Sequence, residues 1–216
     1  MPMDFLQAVE RLRIELGKEL PGAEVQQRMA SSVRDADFDT IVKYPLKRNS
    51  GVLILLYPHT ETKEIYTVFI QRALYSGPHS GQVGFPGGKY ELADKNLIQT
   101  AIRESVEEIG INHDDIIILG TLTSLYIPIS NITVLPVVGW TETQPVFKKD
   151  DNEVESIIEI PLSYLLSPQN RFIKKLQVNS IEIEAPCFMA KSHYIWGATA
   201  MITSEFLEVV EKARMV

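Results

Sequence analysis

Cysteine is almost absent from this 216-residue chain, Cys187 being the one example. A lone thiol excludes an internal disulfide framework, and without a Cys-x-x-Cys pair there is no cysteine-held metal knuckle. Cys187, next to Phe188, is read as a small apolar filler. No apolar run approaches the roughly 20 residues that a membrane-spanning helix needs. A basic surplus is missing as well: 21 Lys and Arg stand against 28 Asp and Glu, a net charge of −7. The chain therefore lacks the clustered cations with which a nucleic-acid-coating surface displaces counterions. Small anionic ligands are not excluded, because a metal or a local basic pocket can hold them. Met1-Pro2-Met3-Asp4-Phe5 has no basic region followed by an apolar stretch, so no secretory signal is expected and the reading is cytoplasmic.

What is present suits one sizeable core, with 45% hydrophobic and 23% charged residues. Phe5, Val9, Leu12 and Leu16 recur at helical spacing and predict an amphipathic helix over 4–17, with Asp4 as its cap. Pro21-Gly22 ends that unit, a weaker helix follows over 23–31, and 32–50 is polar and expected to be irregular. Residues 1–48 are read as a helical extension packed on a domain over 49–216, being too short for a core of their own. Val52–Tyr57 and Glu64–Ile70 form apolar runs around a polar turn, which predicts a buried β-hairpin. Seven Gly and Pro residues between 73 and 90 predict a loop with a short strand inside it. Strands are expected at 116–128, 132–140, 154–160, 171–177 and 180–186, then a closing helix over 197–213. The mixture shows no βαβ regularity, so the fold class is α+β, a mixed sheet sandwiched by helices.

The chemistry concentrates on the helix predicted over Leu97–Ile109. At about 100° per residue, Glu104, Glu107 and Glu108 fall within an arc of roughly 100°. Ile98, Ile102, Val106 and Ile109 lie opposite them with Ser105, and Gly110 is placed to stop the helix. Arg103 stands one turn before Glu107, close enough to orient or partly neutralise the carboxylates. Taken alone, Arg-Glu-x-x-Glu-Glu describes an ordinary solvated helix face. The other possibility is a hard cation, since Mg²⁺ or Mn²⁺ takes oxygen ligands and keeps several waters. The stretch Phe85-Pro86-Gly87-Gly88-Lys89 upstream decides for the cation, because paired glycines let backbone approach a metal or phosphate closely.

With these residues the chain resembles the Nudix hydrolase family, whose box reads G-x5-E-x7-R-E-U-x-E-E-x-G-U, U being aliphatic. Arg103-Glu104-Ser105-Val106-Glu107-Glu108-Ile109-Gly110-Ile111 supplies the second half, with Ser105 at one U position. The first half departs: five residues after Gly88 comes Asp94 instead of Glu, and eight residues rather than seven separate it from Arg103. The resemblance implies an α/β/α sandwich and a metal-dependent diphosphate hydrolase. It also implies that Glu104, Glu107 and Glu108 ligate Mg²⁺ or Mn²⁺ together with the carbonyl of Gly87. Arg103 would then fix the glutamates and Lys89 would reach phosphate.

A second pattern lies upstream. Arg72, Ala73, Gly81, Phe85, Pro86, Gly87 and Gly88 match in register the signature LLTxR(S/A)x3Rx3Gx3FPGG of the coenzyme A pyrophosphatase branch. Ile70 stands for its Thr and Gly77 for its second Arg, a natural partner of a substrate phosphate. His79, two residues on, is read as a solvent-exposed loop histidine. The likeness continues through Asn152-Glu153-Val154, Ile160–Leu166 and Tyr194–Ala200, where Ile195 and Trp196 are read as core. It implies hydrolysis of coenzyme A or acyl-CoA, with Arg72, Gly81, Phe85, Gly88 and Lys89 binding substrate. The family takes the water's proton with a box glutamate or an acid on a later loop, for which Glu153 is the candidate, while Asp150 and Asp151 are read as a solvated turn. The alternatives are ADP-ribose or another nucleoside diphosphate sugar as substrate, and a non-catalytic nucleotide-binding regulatory module. The expected partner is a small molecule, not nucleic acid or membrane. A homodimer is left open, with the N-terminal helix as interface or as lid.

Overall fold

A computed structural model of the protein describes residues 4–32, 48–75, 79–178 and 181–215. Two helices, α1 (Phe5–Leu16) and α2 (Gly22–Gln27), precede β1 (Arg48–Pro58), β2 (Ile65–Arg72) and two very short strands, β3 (Val83–Gly84) and β4 (Gly87–Lys89). Helix α3 (Leu97–Ile109) is followed by β5 (Ile117–Thr121), β6 (Leu125–Ile127), β7 (Ile132–Trp140) and β8 (Val154–Pro161). Then come α4 (Leu162–Leu166), β9 (Arg171–Val178), β10 (Ile181–Ala190), β11 (His193–Ile195) and α5 (Gly197–Ala213).

The large sheet is built around β1, which runs parallel to β7 from Arg48 opposite Ile132 to Leu56 opposite Trp140. The other edge of β1 is shared. Its beginning pairs with β4, Gly51 opposite Gly88, and its end pairs with β2, Leu56 opposite Thr67. Both faces of β1 are covered, which is why Val52–Tyr57 is a continuous apolar run rather than an alternating one. Leu53, Leu55 and Tyr57 pack with Ala101 and Ile109 of α3. Ile54 and Leu56 face the opposite layer, with Leu12 of α1 and Met201 and Phe206 of α5. The result is the expected α+β sandwich on a mixed sheet, with β9, β10 and β11 forming a second, antiparallel sheet.

Helix α3 occupies the residues its pattern predicts. The Asn96 side chain accepts from the Gln99 amide at its start, and Gly110 takes a left-handed conformation (φ 67°) at its end. It sits close against β1 at Gly51. A Cβ at Gly51 would strike the Leu97 carbonyl and the Ala101 amide, so only glycine admits the helix there. The expected cap of α1 is corrected: Asp4 holds the N-cap position but its side chain makes no capping bond. Helix α2 spans only Gly22–Gln27, and β1 begins at Arg48 rather than Gly51; 33–47, read as irregular, lie outside the described residues. The strand predicted over 116–128 is broken into β5 and β6, because Pro136 on their partner β7 has no N–H to donate. The Pro136 carbonyl still accepts from the Leu122 amide, and the Thr123 amide turns instead to Glu205. Cys187 and Ile195 are fully buried, as read, whereas Trp196 is only half-buried.

Residues of α1 and α2 are part of this packing. Phe5 meets the Trp140 ring edge-on at 5.5 Å between centroids. Glu205, fully buried on α5, accepts from the Gly22 amide at 3.1 Å, the Thr123 amide at 3.3 Å and Gln26 Nε2 at 2.7 Å. Gln26 Nε2 also donates to the Thr123 carbonyl. A buried carboxyl group whose donors among the described residues are all neutral depends on each of them. Gln26→Ala is therefore expected to lower unfolding free energy by about 1–3 kcal/mol, the cost of an under-satisfied buried charge. Chemical denaturation reads this directly, and an unchanged midpoint would show that the amide contributes nothing.

Candidate active site

The candidate site lies where α3 passes over β4. Gly88 is seated directly against the Glu104 carboxylate, since a Cβ there would overlap its oxygens. The Gly87 amide donates to Glu108 Oε2 at 2.7 Å. Strand β4 and the residue before it are held on β1: Ser50 Oγ donates to the Gly88 carbonyl, and the Leu53 amide donates to the Pro86 carbonyl at 2.8 Å. The paired glycines thus serve to bring main chain against the carboxylates of the helix.

Arg103 forms the hub of the helix face. Its Nε and Nη2 reach Asp94 Oδ1 and Oδ2 at 2.9 and 3.0 Å, Nη2 also donates to the Lys89 carbonyl, and Nη1 lies 3.1 Å from both Glu104 and Glu107. Asp94, out of register with the family box, nevertheless lands on the box arginine. It is buried, and it accepts further bonds from Thr100 Oγ1 and the Glu91 amide. The bidentate guanidinium beside it holds its carboxyl far below the usual carboxylate range, with the two other donors assisting against burial. Arg103 is raised in return, chiefly by its bond to Asp94.

The glutamates differ in surroundings. Glu107 is half-exposed, Glu104 is more enclosed, and Glu108 is 1% exposed. Burial pushes Glu108 up to about 7; Arg72 and the Gly87 amide oppose the rise, while the charges of Glu104 and Glu153 add to it. Glu104 is also raised, first by burial and then by Glu107 and Glu153, with Arg103 working against them. Glu153 is placed near them by main chain: the Lys148 amide donates to Ile109 O and the Asp150 amide to Glu108 O at the end of α3. The Glu153 carbonyl accepts from the Ala73 amide, which closes the loop on the Arg72 strand. Asp151 pairs with Lys149 at the surface and Asp150 caps the turn at Asn152, the roles read for them.

Arg72 joins the two motifs. From the end of β2, its Nη2 donates to the Gly87 carbonyl at 3.0 Å and its Nη1 lies 3.7 Å from Glu108 Oε1. Local periodicity does not signal this contact across 36 positions; only the two motifs, which meet at Gly87-Gly88, pointed to a common site. Two other expectations are corrected. The Phe85 ring is buried against Phe69, 4.5 Å between centroids, so it anchors the loop from the core instead of facing a ligand. His79 is half-buried, not solvent-exposed, bonded to Gln82 and held below its usual pKa mainly by burial. Gly81 takes a left-handed turn (φ 68°) beside Gln82, whose carbonyl accepts from the Arg72 amide. The Lys89 side chain is exposed, and Gly77 lies outside the described residues.

The donor set suits a hard divalent cation, being all oxygen, and Glu108 Oε1 is buried with no hydrogen bond of its own. The fit is one of donor chemistry. Among the described residues no three acidic, His or Cys side chains converge as a metal-holding group, and Arg103 Nη1 lies on both Glu104 and Glu107.

Comparison with known proteins agrees with this arrangement. A NUDIX domain model matches residues 47–176. The chain is 32% identical over 173 residues to the human mitochondrial coenzyme A diphosphatase NUDT8, covering 78% of this chain and 68% of that protein. It is 33% identical over 163 residues to the uncharacterized Nudix hydrolase NudL of Yersinia pestis, covering 76% of this chain and 80% of the relative. Among solved structures, a MutT/nudix family protein from Enterococcus faecalis aligns with 90% of this chain and 76% of its own, at a TM-score of 0.52 and 15% identity. RenU of M. smegmatis aligns with 76% of this chain and 86% of its own, at a TM-score of 0.50 and 12% identity. At such identities these two structures establish a common fold alone.

The Asp94 anchor gives a pH-dependent expectation. Its folded pKa lies below the unfolded value of about 3.9, so its contribution is present above that pH and is lost as pH falls below it. Asp94→Asn is expected to cost about 2 kcal/mol at neutral pH, the worth of charge-assisted hydrogen bonds. The gap between variant and parent should close below about pH 4 in thermal or urea unfolding. A gap independent of pH would mean that the charge of Asp94 does not matter.

Proposed function

The chain belongs to the Nudix hydrolase family, whose members act on nucleoside diphosphate derivatives, and from that premise we propose that its substrate is coenzyme A or acyl-CoA. Water adds across the diphosphate, giving adenosine 3′,5′-bisphosphate and 4′-phosphopantetheine or its acyl form. The observation that carries this reading is the junction of Arg72 with Gly87 and Glu108, by which the coenzyme A signature and the catalytic box form one site. The likeness to a protein named as a coenzyme A diphosphatase supports it. Gly77, where the signature has an arginine, favours keeping ADP-ribose and nucleoside diphosphate sugars as the second reading.

Glu104, Glu107, Glu108 and the Gly87 carbonyl would hold Mg²⁺ or Mn²⁺, which when bound neutralises diphosphate charge and lowers the pKa of water. Arg103 keeps the first two carboxylates in position, and Asp94 keeps Arg103. Glu153, exposed beside the glutamates, is the candidate to take the proton from water. Arg72 and Lys89 supply positive charge at the mouth of the site for the substrate's phosphates. Gly81 and Gly88 contribute main chain to the same mouth. Residues 1–48 act as an extension of a domain over 49–216, and the enzyme works in the cytoplasm.

Glu107→Gln and Glu108→Gln are each expected to lower divalent-cation-dependent turnover at least a hundredfold with a normal circular-dichroism spectrum. Full activity of both in excess EDTA would overturn the metal reading. Mass spectrometry of products from coenzyme A, ADP-ribose, NADH and dinucleoside polyphosphates tests the substrate, with and without Mn²⁺. Cleavage of ADP-ribose in preference to coenzyme A would select the second reading, and ligand-induced stabilisation without cleavage of any compound would refute both. For Glu153→Gln an unchanged rate would dismiss it as the base.

A further inference from the structure

Arg72 sets its two terminal nitrogens on two different oxygens. One is the Gly87 carbonyl, at hydrogen-bond distance, and the other is Glu108 Oε1, at 3.7 Å. The second is an ion pair without a hydrogen bond, so Oε1 stays buried and unsatisfied while Oε2 is committed to the Gly87 amide. These are the same two oxygens that the proposed function gives to a divalent cation. A guanidinium and a doubly charged ion cannot both occupy them, since like charges at contact repel strongly in an enclosed site. Nor is Arg72 locked in place. Its side chain is 29% exposed, and among the described residues it has no bidentate carboxylate partner of the kind that fixes Arg103 on Asp94.

We propose that Arg72 is an internal competitor of the metal: it holds the Gly87 carbonyl and Glu108 in place until a divalent cation displaces it, and the released guanidinium then grips the diphosphate. Cation binding thereby precedes productive substrate binding. No covalent step is involved, only exchange of one cation for another on the same oxygens. The inference rests on the reading of Gly87 and Glu108 as metal ligands, and the test separates the two.

Mn²⁺ binding to the full chain without substrate is measured by electron paramagnetic resonance of the free ion, for the parent, Arg72→Gln and Glu108→Gln. Arg72→Gln keeps a neutral donor for the Gly87 carbonyl but removes the charge; it should bind Mn²⁺ at least fivefold more tightly. Glu108→Gln should bind at least tenfold more weakly. If Glu108→Gln weakens binding and Arg72→Gln leaves it unchanged or weaker, the competition is refuted and the metal site stands. If Glu108→Gln binds like the parent, the metal reading itself fails and the competition with it. With Mg²⁺ saturating, Arg72→Gln should bind inorganic pyrophosphate at least tenfold more weakly; equal binding would refute the second role of the guanidinium. A measurement on the native sequence guards against a misfolded variant: Mg²⁺ titrated into protein with ¹⁵N-arginine should shift the Arg72 Nε–H resonance, and no shift would refute displacement.

Discussion

A carboxylate buried on a helix must find a donor at once, and for Glu108 that donor is the Gly87 amide. The bond fixes α3 against β4, and β4 is in turn hydrogen-bonded to the beginning of β1. Because β1 also carries β7 and β2, the position of one carboxyl group is tied to the whole sheet. Gly51 makes this possible by leaving room for the helix, and Gly88 by leaving room for Glu104. The paired glycines are therefore matched to carboxylates across the gap, and neither set of residues makes structural sense without the other. Burying charge in this way is unfavourable unless it is compensated. The raised pKa of Glu108 records how incomplete the compensation is.

Two arginines divide the remaining work. Arg103 is pinned by Asp94 and spends its other donors on Glu104, Glu107 and the Lys89 carbonyl, so it orders the helix face. Arg72 comes from a different strand and holds its partners more loosely. Planar guanidinium groups suit both tasks, because their donors can be distributed over several oxygens in one plane. One arginine is thus clamped by a bidentate carboxylate, while the other rests on one hydrogen bond to a carbonyl and a longer ion pair.

The sequence foretold the parts of this molecule that rest on local periodicity. Helix α3, with its isoleucine face and terminal Gly110, occupies the predicted residues, and so do β7 and α5. The β1–β2 hairpin was legible because two apolar runs flank a polar turn. What local pattern could not supply were partners distant in the chain. Asp94 looked displaced by counting along the chain, yet this aspartate reaches Arg103 from a turn at 91–94 that its own side chain closes by accepting from the Glu91 amide. Phe85 belonged to a motif and turned out to be core, since a motif does not state which way a side chain points. The break between β5 and β6 came from a proline on the neighbouring strand. Helix α4 and strand β11 are too short to leave a periodic signal.

The carboxylate of Glu205 has a consequence for how the protein is assembled. Its donors include the Gly22 amide, 183 positions earlier, and Gln26, 179 positions earlier. Contacts this distant in sequence close large loops, and such closures come late in folding. During synthesis, the segment containing α2 emerges long before α5 and must stay undocked while the sheet forms. Its apolar side chains Val25 and Met29, buried in the finished protein, have no α5 to pack against until then. Chaperone dependence and misfolding during expression should therefore respond to changes in the segment 22–29.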